Sequence, residues 1–144
     1  MSELRSHCPI NFVVEALGDK WSLLIVRDIV FWGKHTYGDF ARSKEGIATN
    51  ILASRLVQLE GSGIIERRPD DTDGRKDQFY VTSKGRDLIP LLIQMAAWSE
   101  RYDARSEAKN AKRFIARVRT APNAVAAKAK RLVAAGSHIF AAAW

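Results

Sequence analysis

Thr49, Asn50, Ala53 and Ser54 are the side chains here best suited to contact work, grouped early in the helix-sized stretch TNILASRLVQLEG, residues 49–61. Placed at 100° intervals, Leu52, Leu56 and Leu59 share one narrow arc, which must face a core. The opposite arc holds Asn50, Ala53, Ser54 and Val57, all small and uncharged. A helix entering the major groove of DNA needs little bulk along its leading face. It also needs amides or hydroxyls near its N-terminus to reach base edges, and asparagine pairs bidentately with adenine. Free backbone amides at Ala48–Asn50 and the helix dipole favour a nearby phosphate. Arg55 lies on the flank, where a phosphate or an internal acid such as Glu60 suits it better than a base. A small polar face is also what ordinary solvated helix surface looks like, so the neighbouring elements must decide.

A second group follows at Gly74-Arg75-Lys76, two cations beside a flexible glycine, a combination that fits contact with a phosphate backbone. Asp70, Asp71, Asp73 and Asp77 flank it. They either repel misplaced phosphates or mark a plain soluble loop.

The elements that must hold these groups can be read from punctuation. Pro9 opens a helix that runs to about Leu17, with Gly18 as its stop. Lys20 to Trp32 is apolar nearly all round and belongs at the centre of the core, ended by Gly33. Thr36 and Asp39 form a capping box that starts a short helix from Tyr37 to about Ser43, and Thr36 joins the contact set. Lys44-Glu45-Gly46 is a turn, followed by a helix from Ala48 to Gly61. Ile64–Arg68 and Gln78–Thr82 read as two strands around a turn-rich loop, a hairpin. Thr82 caps a long helix to about Tyr102, kinked at Pro90. The fold class is therefore mainly α with a small β-hairpin, a winged helix-turn-helix.

Other chemistries find little support. His7, His35 and His138 are scattered without metal-ligand spacing, and Cys8 beside His7 lacks a third orienting group. There is no glycine-rich phosphate loop. The expectation is no enzyme, no cofactor and no metal. The single cysteine, Cys8, excludes an internal disulfide and suits a reducing cytosol. The N-terminus lacks a long apolar run, and Arg27 and Asp28 break the longest one, so a cytoplasmic protein without a membrane span is expected.

The net charge of +7 is unevenly placed. Residues 1–104 carry 14 Lys and Arg against 15 Asp and Glu, whereas residues 105–144 carry 9 against Glu107 alone. This divides the chain into a DNA-binding domain, 1–104, and a basic, alanine-rich helical extension, 105–144. The extension reads as two helices separated at Pro122, with Phe114, Ile115 and Val118 on one side of the first. It is either solvated, or adds non-specific DNA affinity by releasing counterions, or docks Ile139, Phe140 and Trp144 on a partner subunit.

Five ordered blocks carry a resemblance: Cys8-Pro9, Leu17-Gly18-Asp19-Lys20-Trp21-Ser22, Tyr37-Gly38-Asp39-Phe40, GIATNILASRLVQLEGSGII and DGRKDQFYVTSKGRDLIPLL. Over residues 7–102 the chain resembles the HxlR family, winged helix-turn-helix transcriptional regulators related to the MarR regulators. The resemblance implies a homodimer on a pseudo-palindromic operator in double-stranded DNA, with the helix at 48–61 as reading helix and the hairpin as wing. It implies dimerisation through the first and last helices of the domain. Leu88, Leu91, Met95, Trp98 and Tyr102 form a stripe that serves either that interface or the monomer core. The family often has a Ser cap and then Pro-Lys at the start of the reading helix. Ala48-Thr49-Asn50 stands here instead, which moves the contacts to Asn50 and Ser54. Some relatives sense oxidants or electrophiles through an N-terminal cysteine, and Cys8 matches that position; otherwise Cys8 packs as a small apolar residue. The effector would then be an oxidant or a small molecule. A rival reading keeps the fold but uses helix and hairpin to bind another protein rather than DNA.

Overall fold

The structure, a computed structural model, describes residues 3–72, 74 and 76–144, so Asp73 and Arg75 of the hairpin loop lie outside the described residues. Pro9 sits in the first turn of α1 (Pro9–Leu17), of which only Leu17 is buried. α2 (Ser22–Trp32) begins two residues later than the sequence pattern indicates. The reason is Asp19, whose carboxylate accepts the amide hydrogens of Trp21 (2.8 Å) and Ser22 (2.9 Å) and so caps the helix at that point. α2 ends at Gly33, which takes the left-handed φ of 66° that a helix stop favours. Ile25, Val26, Ile29 and Val30 of α2 are buried, and the helix runs through the middle of the core.

The Thr36–Asp39 capping box forms as the sequence indicates and opens α3, which is shorter than expected at Tyr37–Ala41. α4 (Thr49–Gly61) packs on α2 and α3 through the buried Leu52, Leu56 and Leu59. β1 (Ile65–Pro69) and β2 (Asp77–Val81) pair antiparallel, Ile65 opposite Val81 and Arg67 opposite Phe79. Residues 35–36 lie along β2 as a rudimentary third strand: Phe79 N donates to His35 O at 2.7 Å, and Thr36 bridges Gln78.

One expectation is corrected here. Residues 83–102 do not form one kinked helix. α5 (Ser83–Arg86) stops, and α6 (Ile89–Tyr102) starts afresh with Pro90 in its first turn. Proline has no amide hydrogen, and its ring would collide with the carbonyl four residues back, at Arg86; at a helix start neither matters. The restart also turns Leu88 inward against the core, away from the stripe assigned to it, while Leu91, Met95, Trp98 and Tyr102 stay exposed.

The basic extension is folded. α7 (Lys112–Thr120) and α8 (Pro122–Ala134) pack on α6, and the 3-10 turn Ile139–Ala141 packs on α2. Phe114, Ile115 and Val118 are buried, as their shared helix face requires. The Phe114 ring meets Phe31 at 6.3 Å, Phe140 at 5.3 Å and Trp144 at 5.1 Å. The indole of Trp144 donates to Ile139 O at 2.9 Å. The apolar end therefore docks on its own chain. Ile139 is fully buried without any partner subunit, in a turn that packs on α2. Among the described residues no helix is long and apolar enough to cross a membrane.

Candidate nucleic-acid interface

α4 divides as its sequence demands. Leu52, Leu56 and Leu59 are buried, while Thr49, Asn50, Ala53, Ser54 and Val57 are exposed on the other side. Ala48 at the N-cap supplies no side-chain acceptor, so the first amides of α4 keep their hydrogens turned outward. Tyr37 pins this end, its hydroxyl donating to Thr49 O at 2.8 Å across the helix-turn-helix. Thr36 sits half-buried, and its Oγ1 is occupied in accepting from Asp39 N at 3.1 Å.

Arg55 has an internal acid, and it is Asp19 rather than Glu60. Arg55 Nε lies 3.2 Å from Asp19 Oδ1, an ionic contact out of hydrogen-bond alignment, and Nη1 donates to Gln58 Oε1 at 3.2 Å. Glu60 instead faces Arg67 at 3.5 Å. Burial alone would raise the Asp19 carboxyl. Hydrogen bonds from the Ser22 hydroxyl and the Trp21 and Ser22 amides, with Arg55 nearby, hold it below the ordinary aspartate value.

In the wing, Asp70 and Asp77 have structural duties. Asp70 Oδ1 accepts from Thr72 N (2.8 Å) and Thr72 Oγ1 (2.7 Å), and Asp77 pairs with Arg67 at 3.1 Å. The loop is closed by Asp70 N donating to Lys76 O at 2.9 Å. Lys76 and Gly74 are exposed at the tip; the expected contact Arg75 lies outside the described residues.

Sequence reasoning missed a column on the hairpin's second face. Tyr80 stacks on His35 (4.2 Å, 21°), and the Arg68 guanidinium lies 4.2 Å from the Tyr80 ring centroid. His35 Nδ1 donates to Phe79 O at 2.8 Å, which fixes the ring against β2. The period-2 pattern of β1 and β2 hinted at this face, but the third member comes from outside either strand.

It also missed what aims the turn before α4. Arg27 reaches Glu45 with two bonds (Nη1–Oε2 2.5 Å, Nη2–Oε1 3.0 Å) and Asp28 with two more, while the buried Asp28 carboxylate accepts from the Ser43 hydroxyl. The one signal for it was a charged pair inside an otherwise apolar helix. The hydrogen bonds from Arg27 pull the Glu45 carboxyl down to about 2 from 4.5, against the smaller opposing effect of burial. A lowered carboxyl stabilises the folded state above the unfolded value and loses that contribution as pH falls. Glu45→Gln should therefore be less stable than the parent at pH 7, and the gap in thermal midpoint should shrink between about pH 4.5 and 2. A gap constant across that window would mean the pair does not form in solution.

Cys8 is exposed at the N-cap of α1, ahead of Pro9. On α1 and α6 a large apolar surface is left uncovered: Ile10 and Val14 on the first, Leu91, Met95, Trp98 and Tyr102 on the second.

A helical core, a helix-turn-helix whose second helix, α4, shows a small uncharged face, and a hairpin wing define a winged helix-turn-helix protein. Comparison gives the family. The model of the HxlR-like helix-turn-helix matches residues 16–107, and the chain belongs to that family. It is 33% identical over 98 residues to an uncharacterized HTH-type transcriptional regulator of Mycobacterium tuberculosis, a match covering 68% of this chain and 61% of that protein. It is 38% identical over 88 residues to another from Synechocystis, covering 61% and 64% respectively. The chain thus spans less than two thirds of the length of these relatives. Among solved structures, PA1607, a proposed transcription factor, superposes with a TM-score of 0.65 at 37% identity, covering 74% of this chain and 73% of that one. The redox regulator HypR in its oxidized form gives 0.59 at 29% identity, covering 65% and 96%.

Proposed function

We propose that this protein is a sequence-specific regulator of transcription that binds double-stranded DNA as a homodimer on a pseudo-palindromic operator. The observation that carries the reading is the exposed Thr49–Asn50–Ala53–Ser54 face, set back to back with three buried leucines and flanked by the wing. Asn50 and Ser54 read base edges, Val57 offers methyl groups to a thymine, and Thr36 and Thr49 approach the backbone at the helix entry. Arg55, held by Asp19, acts at the margin, on a phosphate. Gly74, Arg75 and Lys76 make the wing contact across the phosphates.

The exposed apolar side chains support a dimer. Ile10 on α1 and Leu91, Met95, Trp98 and Tyr102 on α6 are large apolar residues left exposed in the single chain. Two copies joined through α1 and α6 cover them and carry two reading helices to successive half-sites. Oxidant sensing through Cys8 rests on its position and exposure, and on HypR being a redox regulator. Cys8→Ser should abolish any change in operator affinity after mild oxidation; an equal response in both proteins would end the idea.

The test of the main reading is fluorescence anisotropy with the DNA upstream of the gene and a shuffled duplex, at two salt concentrations. Asn50→Ala should lower the preference between them by roughly 1–3 kcal/mol, whereas Lys76→Ala should weaken both duplexes alike. An unchanged preference in Asn50→Ala removes that residue from base reading. Absence of salt-sensitive binding to any duplex favours the protein-interaction module instead.

The basic extension adds non-specific affinity through Lys112, Arg113 and Arg117, which are exposed on α7 and have no acid partner among the described residues. Deleting the extension would strip the core, so the informative variant replaces these three by glutamine. The dependence of log affinity on log salt should then flatten by about 0.9 for each phosphate that is no longer neutralised. An unchanged slope assigns the charge to another task.

A further inference from the structure

A two-stranded hairpin is marginal by itself in water and twists readily toward its free end. Here β1 and β2 pair from Ile65–Val81 to Pro69–Asp77, and one further backbone bond, Asp70 N to Lys76 O, closes the wing loop. The inner face ties the hairpin to α4. Arg67 lies over the Phe79 ring, pairs with Asp77 at 3.1 Å and faces Glu60 at 3.5 Å. The outer face is built differently. Side chains alternate along a strand, so Gln78 and Tyr80 share one side of β2, with Arg68 and Glu66 opposite them on β1. The Tyr80 ring is held by His35, stacked on it at 4.2 Å, and by the Arg68 guanidinium, also 4.2 Å from its centroid; Glu66 pairs with Arg68 in turn.

With the ring fixed, its hydroxyl has a defined place. It donates to Gln78 Oε1 at 2.8 Å, which leaves the Gln78 amide nitrogen to donate to Asp70 Oδ2 at 3.4 Å. Two donors in series end on a carboxylate, which only accepts, so the orientation of the Gln78 amide is set. The other Asp70 oxygen takes the Thr72 amide and hydroxyl. At the root of this row His35 Nδ1 donates to Phe79 O at 2.8 Å, one residue ahead of the Thr36–Asp39 capping box that opens α3. A continuous run of side chains thus joins the start of the helix-turn-helix to the wing loop.

We propose that Tyr80 is a positioning residue for DNA binding: seated on His35 and acting through Gln78 and Asp70, it holds the wing loop at a set pitch relative to α4, so that Lys76 meets a phosphate while α4 lies in the groove. The proposal rests on the DNA-binding reading given above. Tyr80 acts through the loop and not by contact with DNA. Its effect is preorganisation, since a loop ordered before the encounter has less freedom to lose on binding.

The experiment compares the full chain with Tyr80→Phe, which keeps the ring on His35 and removes only the hydroxyl, and with Gln78→Leu, which breaks the ladder one step further on. Hydrogen–deuterium exchange of residues 70–78 is measured without DNA, and affinity for the DNA upstream of the gene and for a shuffled duplex by anisotropy. Both variants should exchange faster at 70–78 with an unchanged thermal midpoint. Both should bind either duplex roughly two- to tenfold more weakly, the cost of ordering a side chain on association, with the preference between duplexes kept. Pairing each with Lys76→Ala separates positioning from mere stiffening: the combined loss should be smaller than the two single losses predict together, whereas independent effects add. Additive losses overturn the proposal. Unchanged exchange or unchanged affinity in Tyr80→Phe also overturns it, as does a fall in thermal midpoint in both variants that accounts for the weaker binding. If Tyr80→Phe alone loses stability, Gln78→Leu decides by the same readouts. A parent chain that binds no duplex fails the DNA-binding reading itself, a result distinct from a parent that binds and a Tyr80→Phe variant that binds equally well.

Discussion

Alanine in place of Phe114 should lower the unfolding free energy by about 3–5 kcal/mol, a large share of the roughly 5–15 kcal/mol that holds a domain of this size together. Phe114 is buried and touches the rings of Phe31, Phe140 and Trp144, which come from α2 and from the last turn of the extension. Removing its ring leaves a cavity that three other rings line, and none can collapse without leaving its own partners. Urea unfolding followed by circular dichroism measures the loss. A change below about 1 kcal/mol, the typical effect of an average substitution, would show that the extension does not share the core in solution.

Glutamate at Trp98 should have an equally large effect on a different quantity. Trp98 is 68% exposed and rests on Tyr102 at 5.2 Å, so the fold of one chain hardly depends on it. In the proposed dimer it lies in the apolar contact, where a carboxylate would be desolvated without a partner. Trp98→Glu should therefore be monomeric by light scattering, with a thermal midpoint near that of an isolated parent chain. Its operator affinity should fall on the order of a hundredfold or more, because two half-sites are no longer bound by linked reading helices. A variant that stays dimeric would remove the α6 stripe from the interface. A monomer with undiminished operator affinity would remove the dimer from DNA recognition.

Much of the fold was legible because its signals are local. The leucine arc of α4, the Thr36–Asp39 capping box, the Gly33 stop and the hairpin alternation depend on neighbours within a few residues, and each appears where its pattern places it. Pro90 was misjudged because a proline in a helical stretch either bends one helix or begins another. The carbonyl it would strike belongs to Arg86, and whether α5 continues past that point depends on what Leu88 finds to pack against. The exposed face of α4 could be named from spacing alone, but what supports it could not. Arg27 reaching Glu45, Arg55 reaching Asp19 and His35 stacking on Tyr80 join residues 18 to 45 positions apart. Composition showed the extension as basic, which is true of its surface. Spacing put Phe114 and Val118 on one side of the first helix, but did not show that Val125, Val133 and Ile139 turn inward with them.

That inward packing sets a timetable for synthesis. Phe31 leaves the ribosome more than a hundred residues before Phe140, which must lie against it, and His138, whose Nδ1 donates to the Phe31 carbonyl at 3.0 Å. During that interval the reading helix and wing can form, while one flank of α2 waits bare for its cover. The nascent chain thus carries its helix-turn-helix and hairpin before it has a finished core. Chains that stop short of His138 would keep an open aromatic flank, ready substrates for chaperones and proteases.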